Sequence, residues 1–255
     1  MRLLLTNDDG AYAPGIKALH RALAPEHEVW VVAPETEQSA VGHAITLADP
    51  IRVHPLTPES GMSGWAVTGT PADCVKLALR ELLPGPPDMV ISGINQGANV
   101  GVNLLYSGTV SAATEGAIMG LAAMSISLAS HEASDFGYAA RVAVHLADAW
   151  EGLGVPPGVS LNVNVPALPP SQIKGLRFTR QSRAILSESF LRRTDPRGHT
   201  YYWQAGEKMG TEGDGQTDYP ALLKGYVTIT PVKHDLTHQQ ALETLGRHGL
   251  ELPPD

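Results

Sequence analysis

A single cysteine, Cys74, occurs in 255 residues, so no intramolecular disulfide can form and a reducing compartment is expected. Basic residues are few: 18 Lys and Arg stand against 26 Asp and Glu, a net charge of −8. That balance offers no grip on a nucleic-acid duplex or an anionic membrane, and no stable nucleic-acid complex is expected. A mononucleotide needs only a local site and stays open. No apolar run approaches membrane-spanning length, and the chain opens on a strand-like run, not on a basic and then apolar leader. A cytoplasmic protein without a membrane anchor is the expectation.

Signatures of several chemistries are also missing. The first strand does not lead into the Gly-x-Gly-x-x-Gly turn of a dinucleotide site. There is no Gly-x-Ser-x-Gly nucleophile elbow. No His-x-x-x-His pair falls on a predicted helix, which argues against a histidine-built zinc site.

What is present is an alternation of short apolar runs and helix-like segments. Residues 3–5 and 88–92 read as buried strands and residues 28–33, 123–128 and 160–165 as strands, with shorter, less buried strands at 51–56 and 65–68. Residues 14–24, 70–83, 109–120 and 136–150 read as helices, with Pro14 and Pro71 suited to first turns and Thr70 to a cap. This order predicts an α/β fold with a doubly wound, mostly parallel sheet. From about residue 175 the runs shorten. Residues 183–193 and 198–204, with Tyr201, Tyr202 and Trp203, read as a β-hairpin or long arm. It either docks on its own domain or reaches a neighbouring subunit.

Candidate chemistry gathers at the carboxyl ends of the strands, where open α/β sheets bind ligands. The first strand ends in Asn7-Asp8-Asp9-Gly10. Two adjacent carboxylates repel unless a cation or proton relieves them. One reading is a helix-capping aspartate with a surface partner; the pair after a buried strand favours a site for a hard ion such as Mg²⁺ or Mn²⁺. Ser92 to Gly101 (SGINQGANVG) follows another buried strand and brings Asn95 and Asn99 to the same edge. Ser107-Gly108-Thr109 opens a helix. It is either a plain cap or, beside a metal loop, a phosphate cradle without a P-loop lysine. Ser39 is a lone loop serine, and spacing alone says little of it.

These pieces together resemble the SurE family of survival proteins, metal-dependent 5′/3′-nucleotidases. The matching stretches are LLTNDDG at 4–10, VVAP at 31–34 with Ser39, GTPADCV at 69–75 and DMVISGINQGANVG at 88–101. YSGTVSAATEG at 106–116, NVNVP at 162–166, Thr217-Asp218 and GYVTITP at 225–231 follow in the family's order. The resemblance implies a Rossmann-like core over about 1–175. It implies a hairpin and exchanged C-terminal segment over about 176–255, within one domain that forms homodimers or homotetramers. It implies a divalent cation held by Asp8, Asp9, Ser39 and Asn95, and phosphate held by Asn99, Ser107, Gly108 and Thr109. Asp8 or Asp9 would also serve the attacking water, and the substrate would be a nucleoside monophosphate, cleaved at a 5′- or 3′-phosphate. Two alternatives are weighed: an aspartyl-phosphate phosphatase of the haloacid-dehalogenase kind, whose acids are spaced Asp-x-Asp, and a non-catalytic nucleotide- or metal-binding module. Where relatives read Ser-Gly, this chain has Ser39-Ala40, and the match is weakest over about 183–210.

Overall fold

The computed structural model describes the chain except residues 133–134, 184–185, 210–214 and 250–255. Its strands are β1 (Arg2–Thr6), β2 (Glu28–Pro34), β3 (Val53–Pro55), β4 (Gly64–Val67), β5 (Met89–Gln96), β6 (Ala122–Ala129), β7 (Val159–Pro166), β8 (Leu176–Phe178), β9 (Leu186–Thr194), β10 (Thr200–Met209) and β11 (Val227–Lys233). Its α-helices are α1 (Pro14–Leu23), α2 (Pro71–Leu77), α3 (Gly108–Ile118), α4 (Gly137–Asp148), α5 (Trp150–Leu153), α6 (Asp218–Leu223) and α7 (Gln239–Gly246). Nine strands form one sheet in the order β3-β4-β2-β1-β5-β6-β7-β11-β8, while β9 and β10 pair antiparallel as a separate ribbon. From β4 to β7 the sheet is parallel; β3 and β11 run against their neighbours β4 and β7. Among the described residues no helix is long and apolar enough to cross a membrane.

Side chains alternate across a strand, and here both faces are covered. Leu3 and Leu5 of β1, Val31 of β2 and Met89 and Ile91 of β5 join the core under α1 and α4. Leu4, Val32 and Val90 turn the other way, into the core that includes Val75 of α2 and Ala112 and Ala113 of α3. A strand buried on both faces has no polar alternation, which is why these segments appear as continuous apolar runs. Cys74 of α2 is fully buried in the second core, where burial pushes its thiol well up.

Helix starts follow local chemistry. Pro14 and Pro71 occupy first turns. Thr70 closes a capping box with Asp73: each side chain bonds the other residue's backbone N–H. Beyond Leu77 the helix widens into a π-helical turn over Ala78–Leu82.

The strand order reverses between β1 and β5. From β1 the chain crosses to β2 on one side, whereas β5 lies on the other and leads to β6 and β7. Such a switch point opens a crevice at the carboxyl ends of the two strands. Two boundaries differ from the sequence expectation. Residues 93–96, expected as loop, continue β5, because β6 resumes pairing after a register irregularity between Gly93 and Asn95. The main sheet also continues past residue 175: β11 and β8 complete it, with Val227 and Ile229 in the core.

Candidate active site

Asp8 and Asp9 stand just beyond β1. The buried Asn7 side chain donates to the Gly10 carbonyl at 2.9 Å and accepts from the Gly10 N–H at 3.2 Å, which fixes the turn. Asp8 is buried under the start of α3. Its Oδ2 accepts from the Thr109 N–H at 3.1 Å and its Oδ1 from the Thr109 hydroxyl. Gly108 makes the approach possible: a Cβ there would sit 2.9 Å from Asp8 Cβ and 3.0 Å from Asp8 Oδ2. Burial raises the Asp8 carboxyl above its ordinary value, and the Thr109 bonds oppose the rise. Asp9 is pushed up to about 6 by burial first and by the Asp8 charge second, with a Gln96 backbone N–H opposing.

The loop after β2 carries Ser39 to the same edge. The Gln38 N–H donates to the Asp8 carbonyl at 2.7 Å, and Ser39 Oγ donates to Glu37. Further along, the loop is fastened to both helices of that face. The Gly42 N–H donates to the Tyr106 carbonyl at 2.9 Å, and the Thr46 N–H and hydroxyl donate to Asp73. His43 Nε2 lies 2.8 Å from Glu115 Oε2, whose other oxygen accepts from Lys76 Nζ at 3.1 Å. His43 first, and then Lys76, holds the Glu115 carboxyl below its ordinary range.

Between these pieces lies a cavity of about 840 Å³. Asp8, Asp9, Ser39, Asn95, Asn99 and Ser107 all line it, so six of the eight sequence candidates meet in one space. Asn95 donates from Nδ2 to the Gly97 carbonyl at 2.8 Å. Ser107 caps α3, its hydroxyl accepting from the Val110 N–H at 3.1 Å. Gly108 and Thr109 lie behind Asp8, away from the cavity wall, and Thr109 is fully buried.

Other lining residues had no signal strong enough to single them out. Glu37 is two residues from Ser39, and His131 follows β6 at the same sheet edge. Gln204 comes from the distant ribbon. The Gly97 turn has His131 packed on it: a Cβ at 97 would lie 2.4 Å from His131 Cε1. Among the described residues no three of His, Cys, Asp and Glu cluster as a metal site; of the sequence candidates beside Asp8 and Asp9, Ser39 and Asn95 offer neutral oxygens.

Fold and cavity define the class: an open α/β protein with a polar cavity at the switch point between β1 and β5. A family model described as Survival protein SurE matches residues 3–188. The 5′-nucleotidase SurE of Syntrophobacter fumaroxidans is 54% identical over 250 residues, covering 98% of this chain and 100% of the relative. That of Syntrophus aciditrophicus is 50% identical, covering 96% and 92%. The crystal structure of the SurE protein from Aquifex aeolicus superposes with a TM-score of 0.84 at 39% identity, covering 97% of this chain and 99% of that one. The chain belongs to the SurE family.

Proposed function

We propose that this chain is a divalent-metal-dependent 5′-nucleotidase that hydrolyses nucleoside monophosphates to nucleoside and phosphate. Relatives named 5′-nucleotidase match nearly its whole length. The observation that carries the metal is the charge of the cavity. Its described lining holds three carboxylates, Asp8, Asp9 and Glu37, and no Lys or Arg. A phosphate dianion entering such a space alone meets only like charge. Asp8, Asp9, Ser39 and Asn95 form an all-oxygen set that suits a hard cation, Mg²⁺ or Mn²⁺.

Bound there, the cation supplies charge neutralisation at phosphate and acidification of water. The protein's own groups do the rest. Thr109 fixes the orientation of Asp8 from its backbone and its hydroxyl. Asn99 and Ser107, which line the cavity, take the phosphate oxygens, and the acid-free N-terminal end of α3 behind them adds its dipole. Asp9, less buried than Asp8, orients the attacking water. Asp8 and Asp9 are adjacent and lack the Asp-x-Asp spacing of aspartyl-phosphate phosphatases, which disfavours that route.

The proposal extends to assembly. The chain is one domain, and its C-terminal part, about 176–255, serves association as a homodimer or homotetramer. Exposed Phe190, Leu191, Tyr202 and Trp203 on the β9–β10 ribbon support that role.

A phosphate-release panel of nucleoside 5′- and 3′-monophosphates with Mg²⁺ or Mn²⁺ tests the activity. Release with metal and none in EDTA is expected. Nucleotide binding without release would make the chain a binding module and overturn the proposal.

A further inference from the structure

β7 carries two asparagines that the reaction described above does not use. Asn162 and Asn164 alternate with Leu161, Val163 and Val165, which point into the core under α1 and α4. Alternation of this kind is common in strands with one face in water. In the structure both asparagines are fully buried. A buried amide costs stability unless its donors and acceptor are paired, and a Val or Leu would fill the space without that demand.

Their partners lie in the loop after β5. The Asn99 N–H donates to Asn164 Oδ1 at 2.8 Å, and Asn164 Nδ2 donates back to the Asn99 carbonyl at 3.0 Å. Asn162 Nδ2 donates to the same carbonyl at 2.8 Å. A backbone N–H can only donate and a carbonyl only accept, so this pairing fixes which end of each amide faces Asn99. Neighbouring β6 supplies the next layer in register, with Ser125 opposite Asn162 and Ser127 opposite Asn164. Ser125 Oγ donates to Asn162 Oδ1 at 3.0 Å, and Asn99 Nδ2 donates to Ser127 Oγ at 3.0 Å. Backbone and side chain of Asn99 are thus both held by two rigid strands, while Asn99 itself lines the cavity.

We propose that Asn164, with Asn162 and Ser127, is a positioning residue: it fixes Asn99 so that Asn99 meets the phosphate group of the ligand. The inference rests on the reading of the cavity as a phosphate site. It adds that β6 and β7, which do not reach the ligand, set the geometry of the loop that does. Groups held this way lose affinity steeply when their support goes, because a displacement of about 1 Å is enough.

The test is a double-mutant cycle on inorganic phosphate binding, measured by calorimetry in saturating Mn²⁺, with Mn²⁺ binding alone measured beside it. N164A and N99A are each expected to weaken phosphate binding roughly tenfold. The double variant N99A/N164A should be no weaker than the worse single, since N164A acts only through Asn99. Mn²⁺ affinity should stay at the wild-type value in all three. S127A removes one oxygen from the second anchor and keeps the test open if N164A folds poorly; a smaller loss, again absent in the N99A background, is expected. Wild-type phosphate affinity in both N164A and S127A, losses that add to that of N99A, or no phosphate binding by the wild type overturns the inference. The cycle needs no turnover. Coupled losses in a protein that hydrolyses no nucleotide would uphold the positioning role and defeat the nucleotidase reading.

Discussion

The cavity edge and the β9–β10 ribbon are built on opposite plans. At the cavity edge, polar side chains bond across long stretches of chain. Asp8 meets Thr109, Asn99 meets Asn164, and the Gly101 N–H meets Asp218, at separations of 101, 65 and 117 residues. Asp218 is fully buried and also accepts from the Ser182 N–H at 2.8 Å, so the glycine-rich loop is tied to the segment that leads into the ribbon. Gln181 adds a second tie, donating from Nε2 to the Gly101 carbonyl at 2.8 Å. In the ribbon, by contrast, the strands pair with each other, and Leu191 and Trp203, directly opposite one another, stay 48% and 64% exposed. The first plan secures geometry within one protomer. The second leaves apolar surface that does nothing for the protomer's own core. Substitutions in the two regions should therefore fail in different ways.

The largest effect is expected at the cavity. Asp8→Asn keeps the side-chain shape and an acceptor for Thr109 but removes the negative charge from the proposed cation site. Metal-dependent phosphate release should fall by roughly 10³-fold, the scale of losing a charge-stabilising group in an active site. Steady-state assays with Mn²⁺, together with a thermal melt showing an intact fold, check it. Wild-type turnover by this variant would remove the cavity from the chemistry and erase the contrast with the ribbon.

How much of this could be read beforehand follows the range of the interactions. The Asp8-Asp9 pair and the Asn95 and Asn99 loop are local patterns at the ends of apolar strands, and strand ends meet at one sheet edge whatever the connections. Ser107-Gly108-Thr109 shows the limit. The sequence places it at a helix start, but not that Gly108 lets the helix touch Asp8 or that Thr109 faces that carboxylate. Alternation like that of Asn162 and Asn164 with apolar residues is common in strands with one face in water, but here the Asn99 loop covers that face. β8 and β11 were illegible as parts of the main sheet because their place depends on pairing with β7 and with each other. Glu37, His131 and Gln204 enter the cavity through loop paths and a ribbon that no spacing rule describes.

A smaller effect sharpens the electrostatic side of the cavity. The folded-state value of Asp9, about 6, lies above its ordinary 3.8, so the folded protein favours the protonated form. Stability gained from that preference is present in full below 3.8 and lost as pH rises through about 6. Asp9→Asn should therefore melt higher than the wild type in metal-free buffer well above pH 6, and the gap should close at pH below 3.8. Saturating Mn²⁺ should reverse the order, because only the wild type then gains the full linkage of metal binding to folding. Melting curves of both proteins in EDTA and in Mn²⁺ decide it. A gap independent of pH would mean that crowding of the two charges is not what burdens the site.

The smallest effect on the protomer is expected from the ribbon, and there the contrast with the cavity is most exposed to failure. Leu191→Ser with Trp203→Ser removes a cross-strand apolar pair that is largely in solvent in the single chain. Such a pair stabilises a hairpin by roughly 0.2–1 kcal/mol, so the melting of the isolated protomer should barely move. If the exposed surface serves a second copy, the same change should shift sedimentation toward smaller species at concentrations where the wild type associates. Buried aromatic anchors carry much of an interface's energy, and Trp is prominent among them. An unchanged sedimentation profile would show that this face is not the contact. A large fall in protomer stability would show instead that the ribbon supports its own fold after all, and the division between a region built for geometry and a region built for contact would collapse.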